Sequence, residues 1–268
     1  MASYLDGLSQ GDLATLAGIM GTDPVPLADD LHRRPWSIND LLGEPRVVDA
    51  VLARQEKASH IVSPFLLFAV LVHRVADDLR QATYVNDWSG PKSRLPVFDV
   101  TPLQEFLEDS GRRLFLTALL ASFALPEPPP VPADPFDLTD LARWVDQALP
   151  ADRLRLLRRL GDLSLFMAGV FPDHNGAKPL RPLDAERLGR TVGMKADELA
   201  ELCDRARMAP GLDALESLGS RWYGAAASGG APPVLSDVAT RFRAARRVLN
   251  HLADRYLYRI EPNWKLAA

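Results

Sequence analysis

DRLRLLRRLGDLSLFMAGVFPDHNG, residues 152–176, is the stretch on which the reading of the fold turns. Its first half is amphipathic at helical spacing, while Leu163 to Phe171 is apolar nearly all round, with Ser164 the only polar side chain. A helix that is apolar on every side belongs among other helices, so 151–170 is expected to be a central, buried helix. Arg155, Arg158, Asp162 and Gly169 share one stripe of its wheel, which carries the charge of Asp162 toward the buried half, one turn from Arg158. A carboxylate in that position must be paired or protonated. Pro172 then breaks the helix and leaves Asp173, His174 and Asn175 at its mouth.

This pattern supports two readings. In the plainer one, Arg158 and Asp162 form a structural brace that holds the central helix in register. In the functional one they line an internal pocket, with Arg155, Arg158, Asp162 and His174 as ligand-binding candidates and Asp162, Asp173 and His174 as candidates for acid–base work.

Outward from this helix the punctuation is helical. Ser63-Pro64 and Thr101-Pro102 each set a capping hydroxyl before a proline at the first helical position. Ser9, Asp184 and Ser236 are further N-cap candidates, and Ser37 with Asp40 resembles a capping box. Helices are expected near 10–20, 37–42, 45–58, 64–82, 102–109 and 111–124, and again near 138–148, 151–170, 184–192, 196–207, 212–224 and 237–260. In the last of these, Val238, Phe242, Ala245, Leu249, Leu252 and Tyr256 make one apolar stripe. Arg243, Arg246 and Arg247 fall opposite it and are expected to form a solvated basic outer face.

Strand signals are poor. The best candidate, Leu95 to Val100, contains Pro96, which demotes it to an edge or a loop, and Asn86 to Pro91 reads as a turn. Six prolines between Pro126 and Pro135 favour an extended connector. The expected fold is therefore all-α: a compact multi-helix bundle of two helical lobes, 1–125 and 136–268, joined by 126–135 and built around the buried helix 151–170.

Composition narrows the function by exclusion. The chain has 268 residues, 31 Lys and Arg against 35 Asp and Glu, and a formal charge of −4. Residues 1–125 carry 16 acids and 11 bases and residues 126–268 carry 19 and 20, so neither half has the basic excess of a nucleic-acid binder. The segment 188–204 has helix-turn-helix spacing, with Gly189 at a close crossing, Gly193 in the turn and Leu199 and Leu202 inward. Its would-be recognition helix, Lys195 to Asp204, holds one base and four acids, so no DNA partner is expected. Cys203 is the only cysteine and reads as apolar filler. The N-terminus lacks the basic and apolar regions of a signal peptide and no apolar stretch approaches the roughly 20 residues of a membrane span, so a cytoplasmic location without a membrane partner is expected.

No phosphate-binding glycine loop, dinucleotide fingerprint, nucleophile elbow or H-E-x-x-H motif is present. Glu56 with His60 and His73 with Asp77 have the i, i+4 spacing of a metal clip, but both pairs read better as surface ion pairs. Asp77-Asp78 lacks the third aspartate of a magnesium-binding helix. No metal and no cofactor are expected.

The blocks GDLSLFMAGVFPD at 161–173 and GPKSRLPVFDV at 90–100 resemble segments of uncharacterised helical proteins predicted from bacterial genomes. That resemblance implies a helical fold and carries no activity with it. The expected function is a non-catalytic binding or regulatory protein that holds a protein or small-molecule partner. The alternative is a cofactor-free enzyme of small-molecule metabolism with an internal pocket near Asp162.

Overall fold

The computed structural model describes residues 3–57, 62–125, 131–175, 181–208 and 211–258. The fold is all-α: 75% of it is helical, with 16 α-helices and one two-stranded sheet among the described residues. In chain order the elements are α1 (Tyr4–Gly7), α2 (Gln10–Met20), α3 (Pro24–Arg33), α4 (Ser37–Gly43), α5 (Pro45–Lys57) and α6 (Pro64–Gln81). A hairpin follows, β1 (Val85–Gly90) and β2 (Ser93–Val97), then α7 (Thr101–Glu108) and α8 (Ser110–Ala124). After the proline-rich stretch come α9 (Leu138–Val145), α10 (Pro150–Val170), α11 (Pro172–Asn175), α12 (Pro182–Arg190), α13 (Ala196–Met208) and α14 (Gly211–Ser228). The chain continues through α15 (Val234–Thr240), α16 (Phe242–Leu252) and a π-helical turn, Ala253–Leu257. No helix among the described residues is long and apolar enough to cross a membrane.

Contacts group the chain into two units, each discontinuous in sequence. The first draws on Met1–Ala82, Leu107–Leu125 and Asp254–Ala268. Its axis is α6, whose Leu66, Val70, Leu71, Val72, Val75 and Leu79 are buried against α4, α5 and α8. Ser63 caps α6 by accepting a hydrogen bond from Leu66 N at 3.1 Å. Asp12, only 2% exposed, ties two helix starts together. Its Oδ2 accepts from Ser9 N at 2.9 Å, completing the capping box of α2, and its Oδ1 accepts from Ser63 N at 3.1 Å.

The second unit draws on Thr83–Phe106 and Pro126–Ala253. As expected for 151–170, α10 lies at its centre, packed by α9, α14 and α16. Two glycines let the neighbours approach: a Cβ at Gly161 would sit 2.6 Å from the Tyr223 ring, and one at Gly169 would sit 2.6 Å from Leu249. The buried Ser164 hydroxyl donates to Leu215 O at 2.7 Å, so the one polar residue of the apolar run has its partner inside the core. α12 and α13 form the expected helical hairpin, with Gly189 against Leu199 and Met194 and Gly193 at φ +65° in the turn.

Several local expectations are corrected. Asn86 to Ser89 lie in β1 rather than in a turn; the reversal falls at Pro91 and Lys92, the latter at φ +56°. Pro96 pairs opposite Asn86 within β2, the strand at the outer side of a two-stranded ladder, where a proline is tolerated. Ser37 forms no capping box; its hydroxyl donates to Arg34 O at 2.7 Å. Asp184 and Ser236 sit inside their helices rather than at the caps, and the expected helix 237–260 breaks at Arg241.

His73 is not a surface ion-pair partner of Asp77. It is 5% exposed, its Nδ1 lies 2.8 Å from Ala69 O, and Asp77 pairs with Arg80 instead. The Glu56–His60 pair and residues 126–130 of the proline run lie outside the described residues. Residues 131–135 form no helix or strand, and Pro135 O accepts from Arg159 Nη2 at 3.3 Å.

Candidate functional site

Asp162 sits midway along α10, where the helix turns from amphipathic to apolar. Its side chain is 13% exposed, and its Oδ1 accepts a hydrogen bond of 2.8 Å from the hydroxyl of Tyr223, a fully buried residue of α14. Arg158, one turn earlier, brings its Nε to 3.7 Å of Oδ2. That is the expected pairing, with one difference: the guanidinium is 46% exposed, so only the carboxylate end of the pair is inside. Burial raises the pKa of Asp162 against the opposing pull of Arg158, the Tyr223 hydroxyl and Arg159. Burial and the facing carboxylate together raise the phenol of Tyr223 well above its usual value. The arrangement is a phenol clamped on a carboxylate, with an arginine lid open to water.

The other sequence candidates lie elsewhere. Arg155 points to solvent, 73% exposed, and its nearest acid is Asp152 at 3.5 Å, one turn back. Asp173 and His174 belong to α11, beyond the end of α10 at Val170, which is itself about 12 Å of helical rise from Asp162. His174 is exposed, and the side chain of Asn175 lies outside the described residues. Arg158 and Asp162 are therefore brought together, whereas Arg155, Asp173 and His174 do not join them.

Asp173 instead anchors the hairpin. Its Oδ1 accepts from the Trp88 indole N–H at 2.9 Å, from the backbone N–H of Lys92 at 2.9 Å and from Arg94 Nη1 at 3.1 Å. Its Oδ2 accepts from Arg94 Nη2 at 3.1 Å. The Arg94 hydrogen bond, with help from Lys92 and Trp88, holds this carboxyl below the usual range even though its side chain is 43% exposed. Lys92 and Arg94 belong to the stretch 90–100 and Asp173 to the stretch 161–173, so the two stretches meet at this carboxylate.

The solvated basic face expected at 243–247 holds at Arg243, which is 68% exposed, and is overturned at Arg246. Arg246 is 3% exposed and holds a buried charge network. Its Nη1 and Nη2 donate to the two oxygens of Asp87 in β1 at 2.9 and 3.2 Å, and Nε donates to Glu216 of α14. Arg247 Nε donates to Asp87 at 2.7 Å and Arg243 Nε to Glu216 at 3.0 Å. Asn250 accepts from Arg246 and donates to Ala168 O of α10 at 3.1 Å. Burial pushes Asp87 up, but the two arginines overcome it and its pKa falls below normal. A helical wheel sets Arg246 one turn from the buried Phe242 and Leu249, but it could not name the acids that meet it, which come from β1 and α14.

No group of three or more His, Cys, Asp or Glu side chains among the described residues is placed to hold a metal ion. No protein-family model matches the chain, and neither a curated protein nor a solved structure matches it significantly.

Proposed function

We propose that the chain is a non-catalytic binding or regulatory protein that holds a protein or small-molecule partner. The observation that carries this reading is the commitment of both candidate carboxylates. Asp162 is engaged by Tyr223 and Arg158, and Asp173 by Trp88, Lys92 and Arg94. A general acid or base must reach the proton it moves, and these two already serve as anchors for α14 and the hairpin. The hairpin also leaves Tyr84, Leu95 and Phe98 to solvent, at 50, 59 and 73% exposure, with the Tyr84 and Phe98 rings 6.0 Å apart. Exposed aromatic and aliphatic side chains on a braced element suit a contact surface. No cofactor, DNA or membrane partner enters the proposal, and a cytoplasmic location is part of it.

A second reading, a cofactor-free enzyme working near Asp162, draws on one observation. Burial shifts the carboxyl and the phenol of the Asp162–Tyr223 pair together, and such shifts cluster at functional sites.

Gene replacement in the native host separates the two. The protein and metabolite profiles of the deletion strain are compared with those of Asp162→Asn and of Leu95→Glu/Phe98→Glu, each checked for normal soluble level. The binding reading expects the hairpin variant to reproduce the deletion and Asp162→Asn to match the parent. The reverse pattern would establish the enzyme.

A further inference from the structure

Tyr84 and Phe98 stand at the open end of the hairpin, one residue before β1 and one after β2, with their exposed rings tilted by 50° to each other. Directly paired residues share a face of a hairpin, and side chains alternate along each strand. The register Val85↔Val97 and Asn86↔Pro96 therefore sets Asn86 and Pro96 on the face of the two rings, and Leu95, opposite Asp87, on the other. Asn86 and Pro96 are exposed as well. This face is a ridge of two aromatic rings, a pyrrolidine ring and a carboxamide. It is firmly mounted, since Asp173 grips the hairpin at Trp88, Lys92 and Arg94, and Arg246 and Arg247 hold Asp87.

The chemistry of the ridge selects its occupant. An added β-strand is disfavoured, because Pro96 has no N–H to offer it from the outer strand. A polyproline II segment needs no such ladder. Its backbone has no internal hydrogen bonds, so its carbonyls accept from side chains while its rings pack on aromatic ones. Two residues of that helix, at about 3.1 Å each, span the 6.0 Å between the Tyr84 and Phe98 rings. The Tyr84 hydroxyl and the Asn86 amide, neither with a partner among the described residues, stand beside the rings as donors. Charge narrows the choice further. Asp99 follows Phe98 directly and is exposed, and residues 95–110 carry four acids and no base. A basic ligand suits these surroundings. The chain's own proline run, PEPPPVPADP at 126–135, carries Glu127 and Asp134 and no base, so a second copy brings the wrong charge.

We propose that the Tyr84–Phe98 face of the hairpin docks a proline-rich segment of a partner protein that carries Arg or Lys beside its prolines. This names the partner chemistry for the contact surface above and rests on that reading. The prolines lie on the two rings, their carbonyls accept from the Tyr84 hydroxyl and the Asn86 amide, and the base meets Asp99. Both sides are stiff beforehand, the ligand by its prolines and the hairpin by its anchors, so little order has to be imposed on binding.

The test titrates the nitrogen-15-labelled full chain with synthetic proline octamers ending in Arg-Arg or in Asp-Asp, and follows the backbone amide shifts. The Arg-Arg peptide is expected to give saturable shifts centred on residues 83–99, and the Asp-Asp peptide to bind about fivefold more weakly. Tyr84→Ser/Phe98→Ser changes only exposed side chains, so it should melt like the parent and bind the Arg-Arg peptide at least about tenfold more weakly. Asp99→Asn should bring the two peptides closer in affinity. Shifts centred elsewhere, equal affinity for the two peptides in the parent chain, or unchanged affinity in the double variant would overturn the proposal. So would concentration-dependent shifts of 83–99 without peptide, which would give the face to a second copy. If neither peptide binds while the Leu95→Glu/Phe98→Glu strain still reproduces the deletion, the contact surface stands and its proline-rich partner falls.

Discussion

Truncating Asp162 to alanine tests whether the charged residue at the centre of α10 is a brace. The geometry identifies what the truncation strands. Arg158 is 46% exposed, so its guanidinium returns to water, and an ion pair of that kind is worth at most about 1 kcal/mol. Tyr223 is fully buried and its hydroxyl donates to Asp162 Oδ1 at 2.8 Å; left without an acceptor it costs about 1–3 kcal/mol. Asp162→Ala should therefore destabilise the protein by about 1–4 kcal/mol, on the whole below the cost of breaking a pair with both charges buried. Asp162→Asn keeps an acceptor for the phenol and should cost under about 1 kcal/mol. Tyr223→Phe keeps the ring against Gly161, and in the Asp162→Ala background it removes the stranded hydroxyl. The double variant should recover most of the loss. Urea unfolding of the four proteins at pH 7 closes the cycle. If Asp162→Ala unfolds within about 0.5 kcal/mol of the parent, or if the two substitutions are additive, the clamp between α10 and α14 is not a stabilising element.

Other perturbations address the remaining anchors. His73 is buried with its pKa lowered from 6.5 to about 4, against Tyr4 and Asn39 and with the Arg113 and Arg80 charges opposing its protonation. The unfolded chain binds this proton first, so stability falls as pH drops from 6.5 toward 4, by about 3 kcal/mol at about 1.4 kcal/mol per pH unit. His73→Gln should flatten that slope in pH-dependent melts, and an unchanged slope would assign it to other groups. Asp173→Ala removes the acceptor shared by Trp88, Lys92 and Arg94, so amide hydrogen exchange across 85–97 should accelerate while the helices stay protected. Gly169→Ala drives a methyl into Leu249 and should cost about 1–3 kcal/mol by thermal melt, whereas Gly18→Ala, with open space around it, should not destabilise. Duplex DNA should show no sequence-dependent retardation at physiological salt, because Lys195 to Asp204 is acidic.

What could be read in advance follows from the range of each interaction. The centrality of α10 was legible because burial on all sides leaves an unbroken apolar run, and the starts of α2 and α6 were legible because Ser9 and Ser63 act within three residues of themselves. α3 escaped because its first turn, Pro24-Val25-Pro26, reads as loop chemistry, although a proline at the first helical position costs nothing. The pairing of Arg158 with Asp162 is local and was visible; Tyr223, 61 residues further on, was not. The same limit hid the partners of Arg246. Arg246 lies one turn from both Phe242 and Leu249, at the edge of the apolar stripe, so its burial was open to the wheel; the acids that meet it there, Asp87 from β1 and Glu216 from α14, were not. Asp173 was found as a polar residue at a helix mouth, but its meaning depended on the backbone N–H of Lys92 coming to meet it.

The long reach of these charged contacts sets an order of events during synthesis. Asp87 leaves the ribosome 159 residues before Arg246, and until then its carboxylate has no guanidinium and β1 has no α16 to lie on. In the first unit, Asp78 of α6 accepts from the hydroxyl of Tyr256, 178 residues later, and pairs with Arg255 at 3.2 Å. Asp87 thus waits on the segment between residues 243 and 256 for its partners, while Asp78, already 3.5 Å from Arg74 of the same helix, gains its remaining ones there. An elongating chain would hold both in an unfinished state, and completion would follow the emergence of α16 and the π-helical turn after it. Shortening the chain before Arg246 would therefore remove contacts from both units at once.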